Sequence, residues 1–196
     1  MPSSLVSPPS RLCPRCERAA CLCVLLPQAP LPNKVQVLIL QDPQERLQAK
    51  GTVPLLRLGL QTCEVRVVQH ADPCELRSGR HDLLLYPADP GASAPAQALN
   101  PLPPPEQLRL IVLDGTWRKS RKLLHQNAWL RTLPRLALEA AIPARYGAVR
   151  KAQRGGQLST LEATLLALEQ LEGPCFAPLW KSFEAFLASR ALTQTK

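Results

Sequence analysis

Leu110-Ile111-Val112-Leu113-Asp114-Gly115-Thr116-Trp117-Arg118-Lys119-Ser120-Arg121-Lys122 is the stretch on which the reading of this chain turns. Its first four residues form a short apolar run, the pattern of a buried strand. Asp, Gly and Thr then break the run. Trp117 opens a segment of helical character in which four of the five residues from Arg118 to Lys122 are cationic. In open α/β sheets, ligands collect outside the carboxyl ends of strands. A carboxylate, a hydroxyl and an indole at such an end, beside a cationic segment, make a candidate site for handling an anionic polymer. The same residues have plain structural uses as well: Asp, Gly and Thr are turn and N-cap residues, and Trp117 can pack in a core.

Outward from that strand the pattern repeats. Val35 to Leu40 reads as the first central strand. A helix is expected over Glu45 to Leu60, with Leu55, Leu56 and Leu60 at helix spacing and Gly51 and Pro54 as early interruptions. Cys63 to Val68 and Leu83 to Tyr86 read as the second and third strands, and Arg135 to Glu139 as a further one after the Trp117 to Asn127 helix. Pro87 to Pro105 holds seven prolines and reads as a stiff, extended surface linker. Thr160 to Leu171 carries full helix punctuation: Ser159 as N-cap, Glu162 completing a capping box, Gly173-Pro174 as a stop. Phe176 to Ala191 reads as the last helix. Strands alternating with helices give the α/β class, a mainly parallel sheet flanked by helices.

With 196 residues, 45% of them hydrophobic, the chain can build one sizeable core with a small appendage. We divide it into an N-terminal segment, 1–33, and an α/β domain, 34–196. The formal charge of +9, from 24 Lys and Arg against 15 Asp and Glu, favours a polyanionic partner such as nucleic acid. No apolar run approaches membrane-spanning length, and Met1 to Leu5 shows no secretion-signal pattern. A cytoplasmic protein without membrane association is expected, and no protein partner can be inferred.

Of seven cysteines, four cluster as Cys13-Pro14-Arg15-Cys16 and Cys21-Leu22-Cys23. Without an export signal, such clustering points to metal more than to disulfides. Four thiolates suit tetrahedral Zn²⁺ and close its shell, which makes the site structural. Arg11, Arg15 and Arg18 help carry its negative charge. The second pair is spaced C-x-C, and an iron–sulfur cluster or unligated thiols are the alternatives. Neither a G-x-G-x-x-G nor a G-x-x-x-x-G-K-[ST] is present, so the usual phosphate cradles are missing. His70, His81 and His125 show no metal or triad spacing.

Taken in order, these pieces resemble the DTW-domain family, named for an Asp-x-Thr-Trp motif that stands here as Asp114, Thr116 and Trp117. The cysteine knuckle, Gln41-Asp42-Pro43-Gln44-Glu45, Leu83-Leu84-Leu85-Tyr86-Pro87, and Arg150-Lys151 leading to Leu158-Ser159-Thr160-Leu161-Glu162-Ala163 also match. Asp42 departs from the pattern, where His is expected. The resemblance implies a SPOUT-like, knotted fold and tRNA-uridine aminocarboxypropyltransferase activity. In that activity, S-adenosylmethionine donates its 3-amino-3-carboxypropyl group to N3 of a uridine in tRNA.

On that reading Asp114 is the candidate general base, with helix capping as its structural alternative. Thr116 orients Asp114 or the cofactor, and Trp117 stacks on a base or packs. Tyr86, Pro87, Leu113, Asp114, Leu158, Ser159 and Thr160 form the cofactor loops. The first backbone N–H groups of the Thr160 helix are the expected donors to the cofactor's carboxylate. Arg118, Lys119, Arg121 and Lys122 are expected on tRNA phosphates, with Arg145, Arg150, Lys151 and Arg154 as a second group. Two rivals remain: a SPOUT-type RNA methyltransferase, and a non-catalytic zinc-containing RNA-binding module.

Overall fold

The computed structural model describes residues 12–46, 48, 50–74, 78–87, 99, 101–138 and 158–193. Among the described residues five strands, β1 (Gln36–Gln41), β2 (Cys63–Val67), β3 (His81–Leu85), β4 (Leu108–Asp114) and β5 (Arg135–Leu136), form one sheet in the order β2-β1-β4-β3-β5. Every pairing is parallel. Four α-helices are seen among the described residues: α1 (Val53–Gly59), α2 (Trp117–Gln126), α3 (Thr160–Glu172) and α4 (Ala177–Thr193).

β4 is buried along its whole length, as an apolar strand flanked by neighbours and covered on both faces must be. Side chains alternate along it. Leu108, Leu110 and Val112 join Val37 and Ile39 of β1 in the larger core, against Leu55 of α1, Leu161 and Leu165 of α3 and Phe183 of α4. Ile111 and Leu113 face the other way, with Leu38, Leu40 and Leu84, onto Leu124 of α2 and Leu130. The same period of two brings Gln41 and Asp114, at the carboxyl ends of β1 and β4, out on the α3 side. Helix α1 meets α4 so closely that a Cβ at Gly59 would lie 2.3 Å from Leu179 Cδ2, which keeps that position a glycine.

The helix expected over Glu45 to Leu60 is confined to Val53–Gly59. Pro54 explains the start: it lacks an N–H and is tolerated only in a first turn, where no donor is lost. Residues 43–46 are instead a turn, held by the Asp42 carboxylate, whose Oδ1 accepts from Gln44 N at 2.9 Å. β4 begins two residues earlier than its apolar run, because Arg109 is neutralised inside the sheet. Its Nε and Nη2 donate to Asp82 Oδ1 and Oδ2 of β3 at 2.6 and 2.8 Å. The proline-rich linker lies largely outside the described residues, as do Glu139 and the segments 88–98 and 139–157, whose path decides whether the chain is knotted. No helix among the described residues is long and apolar enough to cross a membrane.

The cysteine segment packs onto this frame. Cys16 and Leu22 belong to the same apolar cluster as β1 and β4, and Leu31 bridges to Leu60 beyond α1. Its tight turn is closed by Cys13 N donating to Arg18 O at 2.9 Å and Glu17 N donating to Cys13 O at 2.8 Å.

Candidate active site

Asp114 ends β4 and is 6% exposed. Its Oδ1 accepts from Thr160 Oγ1 at 2.5 Å, and its Oδ2 from Gln41 Nε2 at 2.8 Å. Its backbone carbonyl accepts from Asp42 N at 3.2 Å. Burial pushes the Asp114 carboxyl above its ordinary pKa. The bonds from Thr160 and Gln41 oppose that rise, Glu45 adds to it, and Arg18 opposes it. A buried, oriented carboxylate with a raised pKa is a group that can take a proton. Helix capping falls to a neighbour: Thr116 is the N-cap of α2, and its Oγ1 accepts from Lys119 N at 3.4 Å. Gly115 links the two, and a Cβ there would sit 3.0 Å from Lys119 Cβ.

Beside Asp114 a cavity of about 440 Å³ opens at the carboxyl edge of the sheet. It lies in the size range of small-molecule pockets, ~300–1,000 Å³. Tyr86, Pro87, Leu113, Leu158, Ser159 and Thr160 all line it, so the sequence-assigned loops converge on one cavity. Asp114 stands behind Thr160. Trp117, 46% exposed, forms part of the wall. Its ring meets Tyr86 edge-on, with centroids 5.9 Å apart and planes at 74°. The Arg135 guanidinium lies 5.4 Å from the Tyr86 ring centre and donates to Pro87 O at 3.1 Å.

The capping box expected at the start of α3 is present, and it leaves fewer amides for a ligand carboxylate than expected. Ser159 N donates to Glu162 Oε2 at 2.8 Å, Glu162 N to Ser159 Oγ at 3.2 Å, and Leu161 N to Thr52 Oγ1 at 3.3 Å. The capping box therefore uses donors that had been reserved for a ligand carboxylate. Sequence reasoning also missed Gln41, Arg135 and Leu136 to Leu138. Gln41 heads a quoted motif and follows a strand directly, a signal that points to it. Nothing local singles out Arg135.

The basic stretch splits in two. Arg118, Arg121 and Lys122 are exposed and make no ion pair among the described residues. Lys119 turns inward, with its Nζ 2.6 Å from Glu45 Oε1 and 4.0 Å from Asp42 Oδ1. Asp42, where the pattern has His, is 4% exposed and fixes the turn after β1. Arg145, Arg150, Lys151 and Arg154 lie outside the described residues.

The sulfurs of Cys13, Cys16, Cys21 and Cys23 lie within 4.8 Å of one another. Cys13 to Cys23 is 3.9 Å and Cys16 to Cys21 is 4.0 Å. Tetrahedral zinc–thiolate bonds of about 2.3 Å separate the sulfurs by roughly 3.8 Å, so the donor set fits a four-coordinate metal ion. The amides of Cys16 and Arg15 hold the Cys13 thiol down to about 6, while burial and the neighbouring sulfurs push the Cys23 thiol up to about 12.

A family profile described as the DTW domain matches residues 10–191. The chain belongs to the DTW-domain family. It is 32% identical over 173 residues to a protein of Macaca fascicularis named tRNA-uridine aminocarboxypropyltransferase 2, covering 82% of this chain and 56% of that relative. It is 30% identical over 178 residues to the Drosophila melanogaster protein of that name, covering 84% and 69%. To tRNA-uridine aminocarboxypropyltransferase A of Arabidopsis thaliana it is 28% identical over 195 residues, covering 83% and 73%. The chain thus spans little more than half the length of the macaque relative. No solved structure matches it.

Within this DTW domain the three motif residues sit in three environments. Asp114 is buried between Gln41 and Thr160, Thr116 caps α2, and Trp117 shapes the wall of the cavity.

Proposed function

We propose that this protein transfers the 3-amino-3-carboxypropyl group of S-adenosylmethionine to N3 of a uridine in tRNA. The observation that carries the reading is Asp114, a buried carboxylate of raised pKa hydrogen-bonded to Thr160, which lines a ligand-sized cavity, in a chain similar to named tRNA-uridine aminocarboxypropyltransferases. Uridine N3–H titrates well above neutrality, so transfer needs a base. Asp114 takes that proton, and Gln41 and Thr160 fix the direction of its lone pairs. The N3 lone pair forms the new bond to the γ-carbon of the methionyl arm. The sulfonium supplies that electrophilic carbon, and its S–C electron pair leaves with 5′-methylthioadenosine.

The apolar cavity wall of Leu113, Leu136, Leu138 and Leu158 suits the cofactor's adenosine and arm and excludes water. Trp117 and Tyr86 offer faces for a base. Arg118, Arg121 and Lys122, exposed on α2, meet tRNA phosphates, and Arg150 and Lys151 are a second group of phosphate contacts. Cys13, Cys16, Cys21 and Cys23 would hold Zn²⁺ as a structural ion, which would brace segment 1–33 against the catalytic domain, 34–196, and take no chemical step. A reducing cytoplasm suits those thiols.

The reading includes a knotted, SPOUT-like topology. The strand order supports it: the chain leaves β4, passes β3 to reach β5, and returns to the carboxyl end of β4 at Thr160.

Two labelled cofactors test the reaction. Label in the methionyl carboxyl group is expected in tRNA, and label in the sulfonium methyl group in the small-molecule fraction. The opposite distribution would make the protein a methyltransferase.

A further inference from the structure

A second cavity, of about 200 Å³, lies between the cysteine knuckle and the carboxyl end of β1. Three guanidinium groups line it, those of Arg18, Arg46 and Arg57, against one carboxylate, Glu17. It is too small for a nucleotide and large enough for one phosphate of a chain that continues in solvent.

Two features of its lining point to an anionic ligand. Arg18 is 9% exposed; its Nη1 donates to Gln48 O at 2.5 Å, while its Nη2 is buried with no hydrogen-bond partner. A buried cationic donor left unpaired is rare in native proteins and marks the place of an absent acceptor. Glu17 is the only non-glycine among the described residues with positive φ, at 56°. That left-handed turn sets its carboxylate 3.2 Å from Arg46 Nη2, holding that cation at the cavity, and 3.9 Å from Arg57 Nη2, which is held by donating to Arg15 O at 2.7 Å.

Position supplies the rest. Gln41 lines this cavity, and its amide donates to Asp114 Oδ2 at 2.8 Å. Thr160, on the other Asp114 oxygen, lines the larger cavity. Asp114 therefore separates a small-molecule cavity from a cationic one.

Building on the tRNA reading above, we infer that the cleft of Arg18, Arg46 and Arg57 binds a backbone phosphate of the RNA strand next to the target uridine. The knuckle is then part of the RNA-binding surface, and its metal holds Arg18 in place beside the candidate base.

The test uses the metal-loaded full chain, titrated with inorganic phosphate and, over a series of salt concentrations, with unmodified tRNA. Arg46→Gln should weaken both affinities roughly threefold to tenfold and reduce the slope of log K against log salt by about one. Glu17→Gln, which removes the internal competitor, should strengthen both by a similar factor. Both variants should keep their metal. If the arginines only neutralise the thiolates, Arg46→Gln will lower metal content and leave phosphate affinity unchanged, which overturns the site. A phosphate response without a tRNA response overturns the RNA assignment. Absence of tRNA binding in every form overturns the tRNA reading and, with it, the RNA assignment; the phosphate titration still reports separately on the cleft.

Discussion

Replacing Thr160 by Val removes one hydroxyl and little else. Ser159, not Thr160, caps α3, so the capping box survives. Thr164 Oγ1 still donates to the backbone oxygen of residue 160 at 2.7 Å, and the branched shape is kept. What is lost is the 2.5 Å bond to Asp114 Oδ1. With Asp114 6% exposed, little water is at hand to replace it. A hydrogen bond to an ionised group contributes about 1.5–3 kcal/mol, and one to a neutral group about 1 kcal/mol. The Thr160 bond lowers the Asp114 pKa against the raising effect of burial, so the variant pushes the carboxyl further up. A raised folded-state pKa means that the native state holds the proton longer than the unfolded chain. The stability tied to that proton is fully present below the unfolded value and is lost as pH rises through the folded one. In the variant that loss extends to higher pH. The cost of Thr160→Val should therefore be about 1 kcal/mol in acid and about 1.5–3 kcal/mol once Asp114 is ionised. Urea unfolding at a series of pH values, with saturating metal, measures it, and the acid limb of turnover should move to higher pH. A cost that does not vary with pH, together with an unmoved acid limb, would refute the coupling between Thr160 and an ionising Asp114.

Four further outcomes are expected. Asp114→Asn should retain S-adenosylmethionine binding and lose turnover by roughly 10²–10⁴-fold in single-turnover assays; near-normal turnover removes Asp114 as base. A strong chelator should release about one zinc ion per chain and lower the thermal midpoint, with Cys16→Ser acting in the same direction; elemental analysis that finds no metal would end the knuckle assignment. Arg121→Ala combined with Lys122→Ala should weaken tRNA binding and flatten its salt dependence. Lys119→Ala should instead destabilise the fold, by about 1 kcal/mol through loss of the Glu45 bridge, and leave the salt slope nearly unchanged. A salt slope that follows Lys119 would reverse that division.

Much of the fold was legible because its signals are local. The β-branched run at Val35 to Leu40, the apolar run before Asp114 and the capping box at Ser159 each specify an element from a few adjacent residues. The truncated first helix was also legible in principle, since Pro54 can stand only in a first turn. What escaped depends on contacts across sequence. Arg109 joins a strand because Asp82 neutralises it from the neighbouring strand. Lys119 leaves the cationic face because Glu45 lies within 2.6 Å of it. The site shows the same division. The Asp114 motif and the Ser159 cap were visible as motifs, and they converge on one cavity. Yet the sequence could not show that the Leu161 amide is taken by Thr52, nor that Thr116 rather than Asp114 caps α2. Those are outcomes of competition among nearby donors and acceptors, which only packing decides.

The most direct measurement is mass spectrometry of a reaction of purified protein, S-adenosylmethionine and unmodified tRNA, following both the nucleosides and the cofactor remnant. The expected products are 3-(3-amino-3-carboxypropyl)uridine and 5′-methylthioadenosine. A methylated nucleoside with S-adenosylhomocysteine, or tight tRNA binding with no product, would contradict the aminocarboxypropyl-transfer reading.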